Sequence, residues 1–587
     1  MPPLNLGFLP FLSRVEKAAL KAVEAEVEWF CLPAGETLFE AGDPADAFYL
    51  VRSGALAAFK TGADGRPELV GHIRQGEPVG EMALVEDRPH TASVYALRDS
   101  ELVRLPKATF HRLTRKHASL MNELARMMLY RLRGGELRAR TEPKVFALIA
   151  TSPTIDMETR AEALQRALAR LGVTSAVIGE EASDWPGPQL DAFEADHDVV
   201  FLCAKLVDAL WARRAMGRAD RIWVLARADA RPSTPLMPED PSPAAKLKLI
   251  DVVMLHHGGD RPGLKAAPWV EAADAARCFH LRQGHDEDYH FLARIIAGKS
   301  VGLVLSGGGS RAYAHVGAIR AFREAGVVFD VTGGASMGGI IAAGLAMGWG
   351  QDELEDRLYR AFVETSPLND WTLPVVAMTK GKKVDRRLAE HFGDVEIEDL
   401  KRPFFCVSSN LKDASVHVHK TGRVRDALRA SIAVPGLLPP VTDGENVYVD
   451  GAVFSNFPAK QLKALHRGCN IGCDVTRNIG LDPKDFLEPK GFFEWVLTHG
   501  FSEPPPVASL LMRAATVGVM EQHESVREEV DMLVLPELDV ELREWRRFDE
   551  AVEAGYRAAT EMLRNADSET VKRLKAGSAK HAPSAQA

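Results

Sequence analysis

The chain has 587 residues, of which 46% are hydrophobic and 26% charged, with a formal net charge of −9. A single hydrophobic core stops growing at roughly 250–300 residues, so this length predicts two to four domains. The acidic balance argues against a dedicated nucleic-acid binder, and six cysteines over this length exclude a disulfide framework. Cys469 and Cys473 are the only close pair, too few ligands for a zinc site, so reduced, buried thiols and no metal are expected. The start, MPPLNLGFLP, lacks the basic and long apolar regions of a secretory signal. No apolar run is long enough to predict a spanning helix. The expectation is a cytoplasmic protein that meets any membrane from the water side.

Residues 1–30 read as helical, with Phe8, Phe11, Leu12 and Val15 on one face. Over 31–105 short apolar runs alternate with turn signals: Pro33-Ala34-Gly35, Gly42-Asp43-Pro44, Ser53-Gly54, Asp64-Gly65 and Gly76-Glu77-Pro78. That punctuation predicts an antiparallel roll. Residues 107–139 return to a helical pattern with a basic, solvated face. Over 144–258, strand-length apolar runs at 145–150, 174–178, 199–203 and 222–226 alternate with helical stretches such as 157–171 and 206–218, which predicts a parallel sheet. The five prolines of 228–243 mark a loop, and no nucleotide loop is visible, so this segment reads as a scaffold. A third unit begins near Gly298. It has a strand at 300–305, a Gly-rich turn, a helix at 314–325, a strand at 327–331, a second Gly-rich turn and a helix at 337–346. Two such repeats indicate an α/β sheet whose strand ends carry a site. The fold class is therefore multidomain: an N-terminal β-roll with helices (1–140), a middle α/β, Rossmann-like segment (141–297), a C-terminal α/β unit with a mainly parallel sheet (298–565), and a polar, disordered tail (566–587).

Three clusters in the last unit carry chemistry. Gly334-Ala335-Ser336-Met337-Gly338, between a strand and a helix, has the form of a nucleophile elbow, with the serine hydroxyl at a positive helix end. Gly307-Gly308-Gly309, with Arg311 close behind, presents bare amides that can hold an oxyanion or a phosphate. Asp450, followed by Gly451-Ala452, ends a strand and supplies a carboxylate able to act as general base. A competing reading takes Gly307, Gly309 and Ala312 as a dinucleotide fingerprint, with Asp330 at the end of the next strand as the ribose-binding acid. The serine elbow that follows at once and the later aspartate count against it.

Taken in order, Gly-Gly-Gly-x-Arg, G-x-S-x-G, Ser431-Ile-Ala-Val-Pro435 and Asp450-Gly451-Ala452 resemble the patatin-like phospholipases over about residues 299–490. The resemblance implies a Ser–Asp dyad without a catalytic histidine and ester cleavage through an acyl-enzyme. Ser336 would be the nucleophile, Asp450 the base and the Gly307, Gly308 and Gly309 amides the oxyanion hole. Arg311, Gly334, Gly338 and Gly451 would support the motifs, and no cofactor is required. Ala312 departs from the family's glycine. A Ser-His-Asp triad is the alternative, drawing on His315, His391, His417 or His419, with His315 behind the Gly loop.

Gly80-Glu81-Met82-Ala83-Leu84 with Pro89-His90-Thr91-Ala92-Ser93 resembles the phosphate cassette of cyclic-nucleotide-binding domains. Glu81 matches the ribose-binding glutamate. His90 stands where that family has its phosphate-binding arginine, and Arg88 lies two residues earlier. A cyclic nucleotide is a candidate ligand; a degenerate regulatory or interaction domain is the other reading. The three parts together, and the junction from His280-Leu-Arg to Leu292-Ala-Arg, resemble the neuropathy target esterase (NTE)-like lysophospholipases. The implied partners are a phospholipid or lysophospholipid substrate and a membrane touched peripherally, at its inner surface, with no nucleic acid. Residues 492–497 and 507–520 are candidates for an interfacial lid or for ordinary helix packing. The rivals from other classes are a dinucleotide-binding protein and a non-catalytic, nucleotide-gated interaction module.

Overall fold

The computed structural model describes all residues except 1–14, 63–66, 133–142, 208, 234–235, 237–241, 244–248, 258–264, 366–367, 373–374, 477–493, 495–509, 512, 517–522, 542–543, 568–569, 572–573 and 575–587. Phe8, Phe11 and Leu12 therefore lie outside the described residues, as do the 492–497 stretch apart from Glu494, most of 507–520 and most of the tail. The chain divides into two compact units. The first is Met1–Gln165 with Val173–Val253 and Glu271–Ala276, and the second is Arg166–Gly172 with Met254–Val270 and Arg277–Ala587.

In the first unit the antiparallel roll is built on two long strands, Ala47–Thr61 and Ser93–Pro106. The register between them shifts at Val51/Ser53, Ser53/Ala55 and Ala55/Leu56. Such bulges bend a strand too long to lie flat. Gly54 sits at this bend with φ +93°, and a Cβ there would fall 2.2 Å from Ser100 Oγ. Strand Glu28–Leu32 begins where the sequence pattern still reads as helix; the described helix before it is Lys17–Glu24. That helix, Lys107–Lys116 and Ala118–Leu132 cover a core containing Phe48, Leu50, Phe110 and Leu124.

A six-stranded sheet follows, in the order Arg277–Arg282, Leu249–His256, Arg221–Arg227, Val145–Ala150, Val199–Lys205, Ser175–Ile178. Its last four strands pair in parallel. Their near-continuous apolar runs follow from burial on both faces. Within the first unit, Arg98 of the roll donates to Asp220 at 2.8 Å and Glu194 at 3.0 Å.

The second unit is organised on an eight-stranded sheet. Met532–Val534, Cys469–Cys473, Val301–Leu305, Val331–Ala335 and Phe404–Asn410 run parallel. Val447–Asp450 and Ser415–His419 then pair antiparallel with Phe404–Asn410, and Val441–Thr442 closes the edge. The strand expected at 327–331 is displaced: it starts at Val331 and runs through the glycines that read as a turn. Those glycines are strand residues because Phe405 of the neighbouring strand lies over them; a Cβ on Gly333 would fall 2.1 Å from the Phe405 ring. Helices Tyr313–Glu324 and Phe548–Asn565 meet backbone to backbone, since a Cβ on Gly317 would lie 1.8 Å from the Val552 carbonyl oxygen and one on Gly555 1.8 Å from that of Ala314. The fold class read from the sequence is thus the observed one: a roll, a middle parallel-sheet region and a C-terminal, mainly parallel α/β sheet.

Candidate active site

Strand Val331–Ala335 passes directly into helix Ser336–Met347, and Ser336 takes the turn with φ +51°, a left-handed conformation that side chains with a Cβ rarely adopt. The turn is tight enough to exclude side chains on both flanking glycines. A Cβ on Gly338 would lie 2.4 Å from the Ser306 carbonyl oxygen, and one on Gly334 2.6 Å from the Gly338 backbone. The Ser336 hydroxyl donates to Asp450 Oδ2 at 2.8 Å. Asp450 is buried at the end of strand Val447–Asp450, and its Oδ1 accepts the Ala452 N–H at 2.9 Å. Gly451 permits this turn, because a Cβ there would fall 2.5 Å from the Val407 carbonyl oxygen. Burial pushes the Asp450 carboxyl up to about 6, against the pull of the Ala452 amide and the Ser336 hydroxyl. That range suits a base working near neutrality.

The Gly loop lies against Ser336: a Cβ on Gly307 would sit 3.1 Å from Ser336 Cβ and 2.5 Å from Asn456 Oδ1. The Gly307 N–H donates to the Asn456 carbonyl at 3.1 Å. This modifies the sequence expectation that all three glycine amides are open: of the three, Gly308 and Gly309 N–H have no acceptor among the described residues. Arg311 is buried and its Nε donates to the Gly308 carbonyl at 3.5 Å, so it braces the loop from within. Ala312 fits its methyl into the main core.

Histidines stand apart from the dyad. His315 Nε2 lies 2.9 Å from the Ser306 carbonyl oxygen, so that nitrogen carries the proton, and burial holds the ring's pKa down at about 4. It supports the root of the Gly loop as a neutral ring. His419 meets Ser408 Oγ at 2.7 Å, His417 packs on His419 and Tyr448, and His391 lies beside Trp349 and Arg357. Among the described residues no histidine bonds to Ser336 or Asp450. The triad alternative has no geometry here.

The dinucleotide alternative fails at Asp330. That carboxylate is fully buried against Arg294 at 2.8 Å and accepts the Val301 N–H at 3.1 Å. It precedes strand Val331–Ala335, at the end opposite the Gly loop, where it cannot reach a ribose held at that loop.

Two contributors were not assigned a role from sequence. Ser431 accepts the Ser336 N–H at 3.0 Å and donates to the Val407 carbonyl at 2.7 Å, which ties the strained Ser336 backbone to the strand beside Asp450. The serine was visible in its Ser-x-Ala-x-Pro setting, but nothing local shows its partners. Asn456 holds the Gly loop from both sides, through its carbonyl oxygen on Gly307 N–H and its Nδ2 on the Gly307 carbonyl at 3.2 Å. Ser431→Ala leaves a buried N–H unpaired, at a cost of about 1–3 kcal/mol. With part of this felt only in the transition state, kcat is expected to fall roughly tenfold with little change in KM, as steady-state ester turnover would measure.

In the roll, Glu81 is buried as the first residue of helix Glu81–Glu86, and His90 is buried with its ring stacked on Phe39 at 3.6 Å. Burial lowers the pKa of His90, which favours a neutral ring. Arg88 is exposed at the surface.

The patatin-like phospholipase family model matches residues 303–463, and the cyclic nucleotide-binding domain model matches residues 30–117. The chain is 25% identical to lysophospholipase nte1 of Aspergillus terreus, covering 92% of this chain and 42% of that one. It is also 25% identical to patatin-like phospholipase domain-containing protein 6 of Mus musculus, covering 92% and 45%. Among solved structures, the Thermus thermophilus catabolite activator protein aligns at 25% identity over 28% of this chain and 68% of that one, with a TM-score of 0.21. An uncharacterized NTE family protein of Mycobacterium tuberculosis is 30% identical over 94% of this chain and 95% of its own length. The chain belongs to the NTE family and carries a patatin-like phospholipase domain behind a cyclic-nucleotide-binding-type roll.

Proposed function

We propose that the chain is a serine esterase that hydrolyses acyl esters of phospholipids or lysophospholipids. The observation that carries the proposal is the 2.8 Å hydrogen bond from the Ser336 hydroxyl to the buried Asp450 carboxylate, beside the open amides of Gly308 and Gly309. Asp450 accepts the hydroxyl proton as Ser336 Oγ bonds to the ester carbonyl carbon. The Gly308 and Gly309 amides receive the oxyanion, each such donor being worth about 3 kcal/mol of barrier. Collapse expels the glycerol oxygen, which takes the proton from Asp450. Water then gives a proton to Asp450 and attacks the acyl-enzyme, and the leaving serine oxygen recovers that proton. The names of the relatives support the substrate class. Among the described residues no helix is long and apolar enough to cross a membrane, which fits work on lipid from the water side. The four-part division at 140/141, 297/298 and 565/566 belongs to the same proposal. So does regulation by the roll through a cyclic nucleotide at Glu81, Arg88 and His90, which the buried, Phe39-stacked His90 disfavours.

Fluorophosphonate labelling tests the reading. The expected result is a single covalent adduct, mapped by peptide mass to Ser336, together with turnover of p-nitrophenyl esters and release of fatty acid from lysophospholipid. An unlabelled protein, or an adduct on another serine, would falsify the dyad. Labelling at Ser336 with no lipid turnover would remove the substrate class and leave the mechanism.

A further inference from the structure

Residues 375–387 set an exposed apolar tip beside a run of cations. Val375 is 93% exposed and Val376 65% exposed, and Val375 is the most exposed large hydrophobic side chain among the described residues. Two adjacent aliphatic side chains held in water are a candidate contact surface. The loop that presents them is anchored at its base. Trp371 pairs with Thr379 in an isolated bridge, and Thr372 N–H donates to the Met378 carbonyl at 2.8 Å.

Charge gathers on the same stretch. On a chain of net charge −9, residues 369–387 hold five cations (Lys380, Lys382, Lys383, Arg386 and Arg387) against two carboxylates, Asp370 and Asp385. Asp385 is taken by Arg429 at 2.8 Å, and Arg387 pairs with Glu390. Lys380, Lys382 and Arg386 are exposed, with no ion pair among the described residues. Lys382 and Lys383 also open helix Lys382–Phe392, at the dipole end that disfavours cations. An anionic surface would relieve this.

The loop shares a frame with the dyad. Met378 N–H donates to the Gly436 carbonyl at 2.9 Å and Thr379 N–H to that of Leu437 at 3.1 Å. A few residues earlier, the Ala433 and Ser431 carbonyls accept the N–H groups of Asp450 and Gly451.

We propose that this segment docks the protein on an anionic phospholipid bilayer, with Val375 and Val376 entering the interface and Lys380, Lys382 and Arg386 meeting the headgroups. Apolar insertion and electrostatic attraction add in such binding, and salt weakens only the second. The inference deepens the lipid-hydrolase reading by naming the surface from which substrate arrives.

The test is sedimentation of the full chain, carrying Ser336→Ala so that turnover plays no part, with vesicles of phosphatidylcholine alone or mixed with phosphatidylglycerol. The parent is expected to prefer the anionic vesicles and to lose that preference in high salt. Lys380→Gln, Lys382→Gln and Arg386→Gln are each expected to weaken anionic binding about fivefold. Val375→Asp with Val376→Asp is expected to abolish binding to both vesicle types. The same substitutions with Ser336 restored should leave turnover of a soluble short-chain ester unchanged, which shows that the fold is intact. Vesicle binding indifferent to the valine pair would overturn the proposal. So would a valine variant that loses only self-association, which would identify a second copy as the occupant. Failure to bind vesicles by a protein that still hydrolyses the soluble ester would remove the dock and leave the dyad reading standing.

Discussion

Asp450→Asn is expected to lower kcat by about 10²–10⁴-fold, the range for loss of a positioned general base, while making the folded protein more stable at neutral pH. Both effects follow from burial. In the fold burial raises the carboxyl to about 6 from its ordinary value of 3.8. Ionising it at pH 7 therefore costs stability on the order of 2–3 kcal/mol relative to the unfolded chain. The stability that goes with the protonated form is fully present below about 4 and is lost as pH rises through about 6. Asparagine never ionises, so the gain should appear above pH 6 and vanish below pH 4, where Asp450 is protonated in both states. The wild-type rate should run the other way, falling as pH drops through about 6 because the base is then occupied by a proton. Thermal unfolding and ester turnover, measured across this pH range on both proteins, check the pair of opposed trends. A variant less stable than wild type at pH 8 would mean that the carboxylate is held by more than it loses to burial.

Arg294→Met is expected to be among the most destabilising single changes outside the site. Arg294 and Asp330 are each almost wholly buried, and the guanidinium meets both carboxylate oxygens, at 3.2 Å or less. Removing one partner of such a pair leaves an uncompensated charge, at about 3–5 kcal/mol. For a unit of this size that corresponds to a loss of roughly 4–7 °C in the melting temperature. Arg294→Met with Asp330→Leu should recover much of the loss, since the charge then disappears along with its partner. A thermal shift of less than a few degrees in the single variant would show that water reaches the pair.

The serine elbow and its aspartate were legible because their chemistry depends on local punctuation. Gly334, Gly338 and Gly451 lie where backbone passes too close for a Cβ, and this constraint is written at fixed spacing. The same reading misplaced a strand. Thr332-Gly333-Gly334-Ala335 has none of the bulk by which strands are recognised, because Phe405 supplies the bulk from the neighbouring strand. That shift put Asp330 at the wrong end of its strand and lent the dinucleotide alternative an acid that belongs to Arg294. The contacts of Ser431, Asn456 and His315 were not legible, for a different reason. Each acts through main-chain atoms of the site, and Ser431 lies 95 residues from the amide it holds. No local pattern records such a contact. In the roll, Gly35, Gly42, Gly54 and Gly76 were all expected at turns; each adopts positive φ, but Gly54 does so at a bulge inside strand Ala47–Thr61.

The sheet order around strand Val301–Leu305 bears on where the catalytic half of the molecule can be cut. Its neighbour on one side is Cys469–Cys473, followed by Met532–Val534, while helix Phe548–Asn565 crosses Tyr313–Glu324 at touching glycines. All three elements lie beyond residue 463, where the match to the patatin-like phospholipase family model ends. A fragment trimmed to that boundary would keep Ser336 and Asp450 yet expose the apolar edge of strand Val301–Leu305, a template on which chains stack into aggregates. The residues after 463 are thus the missing wall of the enzyme rather than an appendage to it.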